Sequence, residues 1–134
     1  MPLRILPLPS ILPMNSAFRG PAVLVVDDNR DVADALAAVL ETAGYQASAF
    51  VSVRDALDVL DADPTIGTVI SDVRMPDLDG FDFLRVVKHR FPQMRVFLVT
   101  GQEVTSHDVV PQGAVILKKP VEHEELLRLM RAEA

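Results

Sequence analysis

Six side chains able to do chemistry stand at the ends of short apolar runs. Asp27 and Asp28 follow Ala22–Val26, and Asp72 closes Thr68–Asp72. Thr100 closes Arg95–Thr100, while Lys118 and Lys119 follow Ala114–Leu117, just before Pro120. If these runs are parallel strands, all six positions share one edge of a sheet. Three carboxylates in one pocket repel strongly, by roughly 4 kcal/mol for a pair about 4 Å apart at an effective dielectric near 20. A divalent cation offsets that repulsion best, and hard oxygen donors with water select magnesium. A lysine ammonium supplies further positive charge. Such a site suits phosphoryl transfer, with metal and lysine stabilising charge on the moving group and one carboxylate as nucleophile. Each residue alone has a plainer reading. Asp27-Asp28 suits a turn and helix cap, Asp72 a solvated loop acid, Thr100-Gly101 a turn, and Lys118-Lys119-Pro120 a solvated end before a helix that starts on proline. The joint pattern of acids after the first and third strands, hydroxyl after the fourth and lysine after the fifth is what argues against coincidence.

The intervening segments are the elements that would position these groups. Ala22–Val26 is a continuous apolar run, as in a strand buried on both faces. Val32, Ala35, Leu36, Val39, Leu40 and Ala43 recur at helical spacing, and Gly44 follows as a helix stop. Tyr45–Phe50 reads as a second strand. Val53, Ala56, Leu57 and Leu60 mark a second helix, ended at Asp63-Pro64. Asp79 suits the N-cap of a third helix, with Asp82 as a weaker capping box and Phe83, Leu84 and Val87 as its apolar face. Leu126, Leu129 and Met130 give the last helix its face. Strands alternating with helices imply a doubly wound five-stranded parallel sheet of the α/β class, with its site at the carboxyl ends of the strands.

Composition narrows the function further. The 134 residues suffice for a core without metal or disulfide help. That core is aliphatic, since aromatics are 5% of the chain against 49% hydrophobic residues. The formal charge is -6, and Arg4 and Arg19 are the only charges in residues 1–20, which leaves -8 on residues 21–134. That balance argues against a nucleic-acid surface. No apolar run is long enough for a transmembrane helix. Cysteine is absent, which excludes disulfides, thiolate nucleophiles and zinc-thiolate sites, and fits a cytoplasmic protein. Pro2, Pro7, Pro9 and Pro13 set residues 1–20 apart as a flexible Pro-rich tail, read in preference to a signal peptide because the prolines interrupt the apolar stretch. The expected domain is residues 21–134.

The stretches Val25–Asn29, Ser71–Phe81, Val99–Gly101 and Lys119-Pro120 resemble the receiver domain of bacterial response regulators, over about residues 21–134. The resemblance implies that Asp72 accepts a phosphoryl group from a phosphohistidine on a sensor histidine kinase or histidine phosphotransfer protein. It implies that Asp27 and Asp28 hold Mg2+ together with Asp72 and the backbone carbonyl of Arg74, with Asp28 the more direct ligand. Thr100 would bond a phosphoryl oxygen, and Lys119, rather than Lys118, would pair with the phosphoryl group. Arg74 and Gln102 would tune the phosphate lifetime. The protein would be a switch, not an enzyme, and would form dimers through the last-helix face if it follows many relatives.

Several departures from the family pattern stand out. Gln102–Gln112 lacks a helical apolar stripe, so the fourth helix is expected to be short or irregular, as in receivers attached to hybrid kinases. The aromatic switch position falls on Ile116, and Val121 follows the proline. His89, His107 and His123 are expected on the surface, without ligand spacing. Because Ala134 follows the last helix directly, the reading is a single-domain regulator that signals to an unknown protein target by contact. A degenerate receiver acting as a phosphorylation-independent binding module is the alternative, disfavoured by the intact acids, Thr100 and Lys119. A haloacid-dehalogenase-type phosphatase would want an acid where Arg74 stands. Neither a P-loop nor a Gly-rich dinucleotide turn is present.

Overall fold

The computed structural model describes residues 20–75, 78–101, 110 and 113–132. It contains β1 (Ala22–Val26), α1 (Arg30–Thr42), β2 (Ala47–Phe50), α2 (Val53–Ala62), β3 (Ile66–Asp72), α3 (Gly80–Arg90), β4 (Arg95–Thr100), β5 (Val115–Lys118) and α4 (His123–Ala132). The strands form one parallel sheet in the order β2-β1-β3-β4-β5. The chain therefore leaves β1 in one direction for β2 and returns to its other side for β3. The order reverses between β1 and β3, where a doubly wound sheet opens a crevice.

Side-chain alternation along the strands sorts the core into two layers. Leu24, Val26, Val69, Val96 and Leu98 pack with α2 and α3 through Ala56, Leu60, Phe83, Leu84 and Val87. Val23, Val25, Ile70, Phe97, Val99 and Leu117 pack with α1 and α4 through Leu36, Leu40, Leu126 and Met130. All five residues of β1 and all seven of β3 are buried, which accounts for the unbroken apolar run of β1, whereas β3 also buries Thr68, Ser71 and Asp72.

Element boundaries move where local chemistry overrides the apolar pattern. Tyr45 was expected in the second strand, which begins only at Ala47. The Gly44 N–H donates to Glu41 O and the Tyr45 N–H to Leu40 O, with Gly44 at φ 97, so Tyr45 closes the end of α1 instead. The third strand starts at Ile66, ahead of Thr68, because a register shift places Gly67 in a bulge against β1. The fifth extends through Lys118, which stands opposite Thr100. In α1 the buried face is Ala33, Leu36, Ala37 and Leu40, so the helix is rotated away from the expected Ala35 and Ala43. The segment expected to hold an irregular fourth helix lies outside the described residues, as do residues 1–19.

Candidate functional site

The plain reading of Asp27-Asp28 as helix cap fails because the next residue takes that role. Asn29 is the N-cap of α1, its side chain accepting from the Asp31 and Val32 N–H groups. Both aspartates are thereby released to the sheet edge. Asp27 is buried at 2% exposure and Asp28 is exposed. The Asn29 N–H turns back and donates to Asp27 Oδ1 at 2.9 Å.

Asp72 is not a solvated loop acid either, being 7% exposed. Its Oδ1 accepts from the Val73 N–H at 2.9 Å, and the same N–H lies 3.1 Å from Val99 O on β4. Next to it stands the start of α3, capped by Asp79 through the Asp82 N–H at 2.9 Å. The Gly80 N–H donates to Val73 O at 2.7 Å, which pulls the helix start onto the strand end. A Cβ at Gly80 would lie 2.2 Å from Asp72 O, so only glycine permits this approach.

Lys119 reaches across from beyond β5. Its Nζ lies 3.2 Å from Asp72 Oδ1 and 3.5 Å from Asp27 Oδ2. Sheet parity explains why Lys119 and not Lys118 does this. Val25, Ile70 and Leu117 face α1 and α4, and Asp27, Asp72 and Lys119 each follow two residues later, on the same side. Lys118 is of opposite parity and exposed. Thr100 is buried on the same edge, and its carbonyl accepts from the Lys119 N–H at 2.8 Å. The proline expected in the first turn of the last helix lies before it, in a cis Lys119-Pro120 bond, and α4 starts at His123.

Carboxylate oxygens of Asp27, Asp28 and Asp72 lie within 4.8 Å of one another. Burial, and next the Asp72 charge, push the Asp27 carboxyl above the usual aspartate value, although the Asn29 N–H and Lys119 oppose this. For Lys119, burial acts to lower the ammonium pKa, but Asp27 and Asp72 outweigh it and hold it above the usual lysine value. Three carboxylates against one ammonium leave two negative charges. Only oxygen donors converge there, so the donor set fits a hard divalent cation.

A stability prediction follows from the Asp27 shift. Its folded-state pKa lies above the unfolded value of 3.8, so the ionised carboxylate destabilises the fold. That cost is full above the raised pKa and vanishes below the unfolded one. Asp27→Asn should raise the melting midpoint near pH 7 by about 3 °C without divalent metal. The gain should shrink as pH falls toward the unfolded pKa, and also on adding Mg2+. Melting curves at several pH values check this, and a midpoint lowered by the substitution at neutral pH would contradict it.

A model of the response regulator receiver domain family matches residues 23–131. This chain belongs to that family. Receivers act as phosphotransfer switches rather than as enzymes turning over a separate substrate. The chain is 43% identical over 82 residues to the C4-dicarboxylate transport transcriptional regulatory protein DctD of Rhizobium meliloti (strain 1021), covering 61% of this chain and 18% of that one. It is 37% identical over 115 residues to the response regulator protein FleR of Pseudomonas aeruginosa, covering 84% and 24%. It therefore spans a quarter or less of the length of these two curated relatives. In fold it is similar to a CheY-like receiver domain protein from Methanospirillum hungatei JF-1, with a TM-score of 0.77 at 24% identity over 85% of this chain and 93% of that one.

The receiver fold brings Asp27, Asp28, Asp72 and Lys119 together, with Thr100 on the adjoining strand end. The Arg74 side chain is exposed on the loop after Asp72. Ile116, at the switch position, is 41% exposed. His89 and His123 are exposed, while His107 and Gln102 lie outside the described residues. Sequence reasoning missed Asn29, the Val73 N–H and Gly80 as parts of the site. Asn29 was recognisable as a cap type, and Gly80 directly follows the Asp79 cap. No helix among the described residues is long and apolar enough to cross a membrane.

Proposed function

We propose that this receiver accepts a phosphoryl group on Asp72, with Mg2+ held by Asp27, Asp28, Asp72 and the Arg74 carbonyl, and signals through protein contacts in the cytoplasm. Residues 21–134 form the receiver unit in this reading, and residues 1–20 are an appended segment. The observation that carries it is a buried Asp72 carboxylate paired to Lys119 within a cluster of three acids. An Asp72 oxygen attacks phosphorus, forming an acyl phosphate. The bond from phosphorus to the donor breaks, and the leaving group keeps the electron pair. The donor is a phosphohistidine of a sensor histidine kinase or phosphotransfer protein. A groove of about 560 Å³ lies beside Lys119, with Val32, Leu36, Val99, Pro120 and Val121 in its lining. Bound Mg2+ supplies positive charge to the phosphoryl oxygens. Lys119 leaves its carboxylate partners for the new phosphoryl oxygens, and Thr100 donates its hydroxyl to another. A phosphoryl group adds about -1.5 to -2 charges and strong acceptors, which suffices to draw both side chains inward. The β5–α4 side then differs between the two states and forms the surface read by a target protein.

The testing experiment is the intact mass of the protein after incubation with acetyl phosphate, with and without Mg2+. One adduct that requires the metal is expected. No adduct in either condition overturns phosphorylation by this small donor and points to the phosphorylation-independent binding module.

The two lysines should separate cleanly. Lys119→Ala should still take up phosphate, at a rate lowered about 10-fold or more, but should lose the phosphorylation-dependent amide shifts at Thr100 and Val115. Lys118→Ala should stay within about 2-fold of wild type, since its side chain is exposed on the other face. Two-dimensional NMR with and without beryllofluoride checks this, and equal effects of both substitutions would refute the assignment.

A further inference from the structure

We infer that Ser71 is a positioning residue for Asp72, acting through the peptide group that joins Asp72 to Val73. The inference rests on Asp72 being the phosphoryl acceptor. Ser71 is fully buried and, by alternation, faces the α2–α3 side of the sheet with Val69, opposite Asp72. Its Oγ donates to the backbone carbonyl of Asp72 at 2.9 Å. A buried hydroxyl holds such an acceptor because leaving it unpaired is costly. The same carbonyl is also closely approached by Gly80 of α3, where a Cβ would lie at 2.2 Å.

The peptide unit is planar, so the Asp72 carbonyl and the Val73 N–H turn together. Holding the carbonyl therefore aims the N–H. That N–H is shared between Asp72 Oδ1 at 2.9 Å and Val99 O at 3.1 Å, so a small rotation would shift it toward one acceptor. Lys119 Nζ approaches the same Oδ1 at 3.2 Å. Oδ1 is thus approached by two donors, the Val73 N–H and the Lys119 ammonium. The chain from the Ser71 hydroxyl through the peptide to Oδ1 sets the plane of the carboxylate that is presented to phosphorus. A serine that merely satisfies itself on the nearest carbonyl would have no kinetic consequence, which separates the two readings.

The test uses the full chain carrying Ser71→Ala or Ser71→Thr. Rates of Mg2+-dependent adduct formation are measured against acetyl phosphate concentration, and the Val73 amide proton is followed by NMR. Ser71→Ala should lower the maximal rate about 5- to 10-fold, the worth of one hydrogen bond, with the half-saturating donor concentration unchanged. Its Val73 resonance should move upfield as the Oδ1 contact weakens. Ser71→Thr keeps the hydroxyl and should remain within about 2-fold of wild type. An unmoved Val73 resonance in Ser71→Ala overturns the clamp whatever the rate. A wild-type rate in Ser71→Ala overturns the positioning role, and a threonine variant as slow as the alanine one assigns the effect to packing. If wild type itself takes up no phosphate, the reading of Asp72 fails, and the Val73 resonance alone still decides whether the clamp exists.

Discussion

Asp72→Asn will form no phosphoryl adduct with acetyl phosphate and Mg2+ under conditions that fully label wild type. The amide oxygen has nearly the carboxylate's shape but no negative charge, so its nucleophilicity is lost, a fall in rate on the order of 10³ or more. The fold should persist. The Val73 N–H can still donate to Oδ1, and Lys119 keeps Asp27 as a partner at 3.5 Å. Removing one of three crowded carboxylates also relieves repulsion, so the melting midpoint without metal should be unchanged or higher. Intact mass and thermal melting on the same samples separate loss of the nucleophile from loss of the fold. An adduct retained in the variant would place the acceptor elsewhere.

The largest expected stability effect comes from a residue with no chemistry of its own. Gly80 opens α3, and alanine is ordinarily preferred over glycine within a helix by roughly 0.5–1 kcal/mol. Here the clash should win. The added Cβ would meet Asp72 O at 2.2 Å, and Asp72 C and Val73 Cα at 2.9 Å each, all of them backbone atoms. Either α3 or the end of β3 must move. We expect Gly80→Ala to cost on the order of 3 kcal/mol, a drop of about 10 °C in melting midpoint. Phosphoryl uptake should slow as well, because the displaced atoms belong to Asp72. Gly101→Ala is the internal comparison, since nothing among the described residues lies within 4 Å of a Cβ there and its φ is not positive. Similar midpoints for both variants would show that the contact at Gly80 yields without cost.

Much of the fold was legible because its determinants are local. The apolar run over Arg95–Thr100 matches β4 to the residue, and Asp79 caps α3 as its side chain requires. Misplaced boundaries fell where a nearby backbone group intervened. Tyr45 looks like a strand residue, yet its N–H is taken by Leu40 O. Gly67, bulged against β1, breaks the apolar pattern and so hides the true start of the third strand at Ile66. Ala35 fits the helical stripe, but Ala33 and Ala37 occupy the core side, while Ala35 lines the groove beside Lys119.

By itself the sequence determined a parallel α/β sheet, the six chemical positions along one edge of it, and the family to which the acids and lysine belong. These follow from residue types at fixed spacing, which need no knowledge of what neighbours what. Only the tertiary structure decided which of those groups meet. Strand order places β1 beside β3, so that Asp27 and Asp72 share a pocket. Register and parity turn Lys119 toward both acids and Lys118 away, a distinction made before only by resemblance. The approach of α3 to β3, which makes Gly80 indispensable and leaves the Asp72 carbonyl to Ser71, depends on contacts between residues on different elements. A separation of a few ångströms across elements is set by packing of the whole core, and no one-dimensional spacing encodes it.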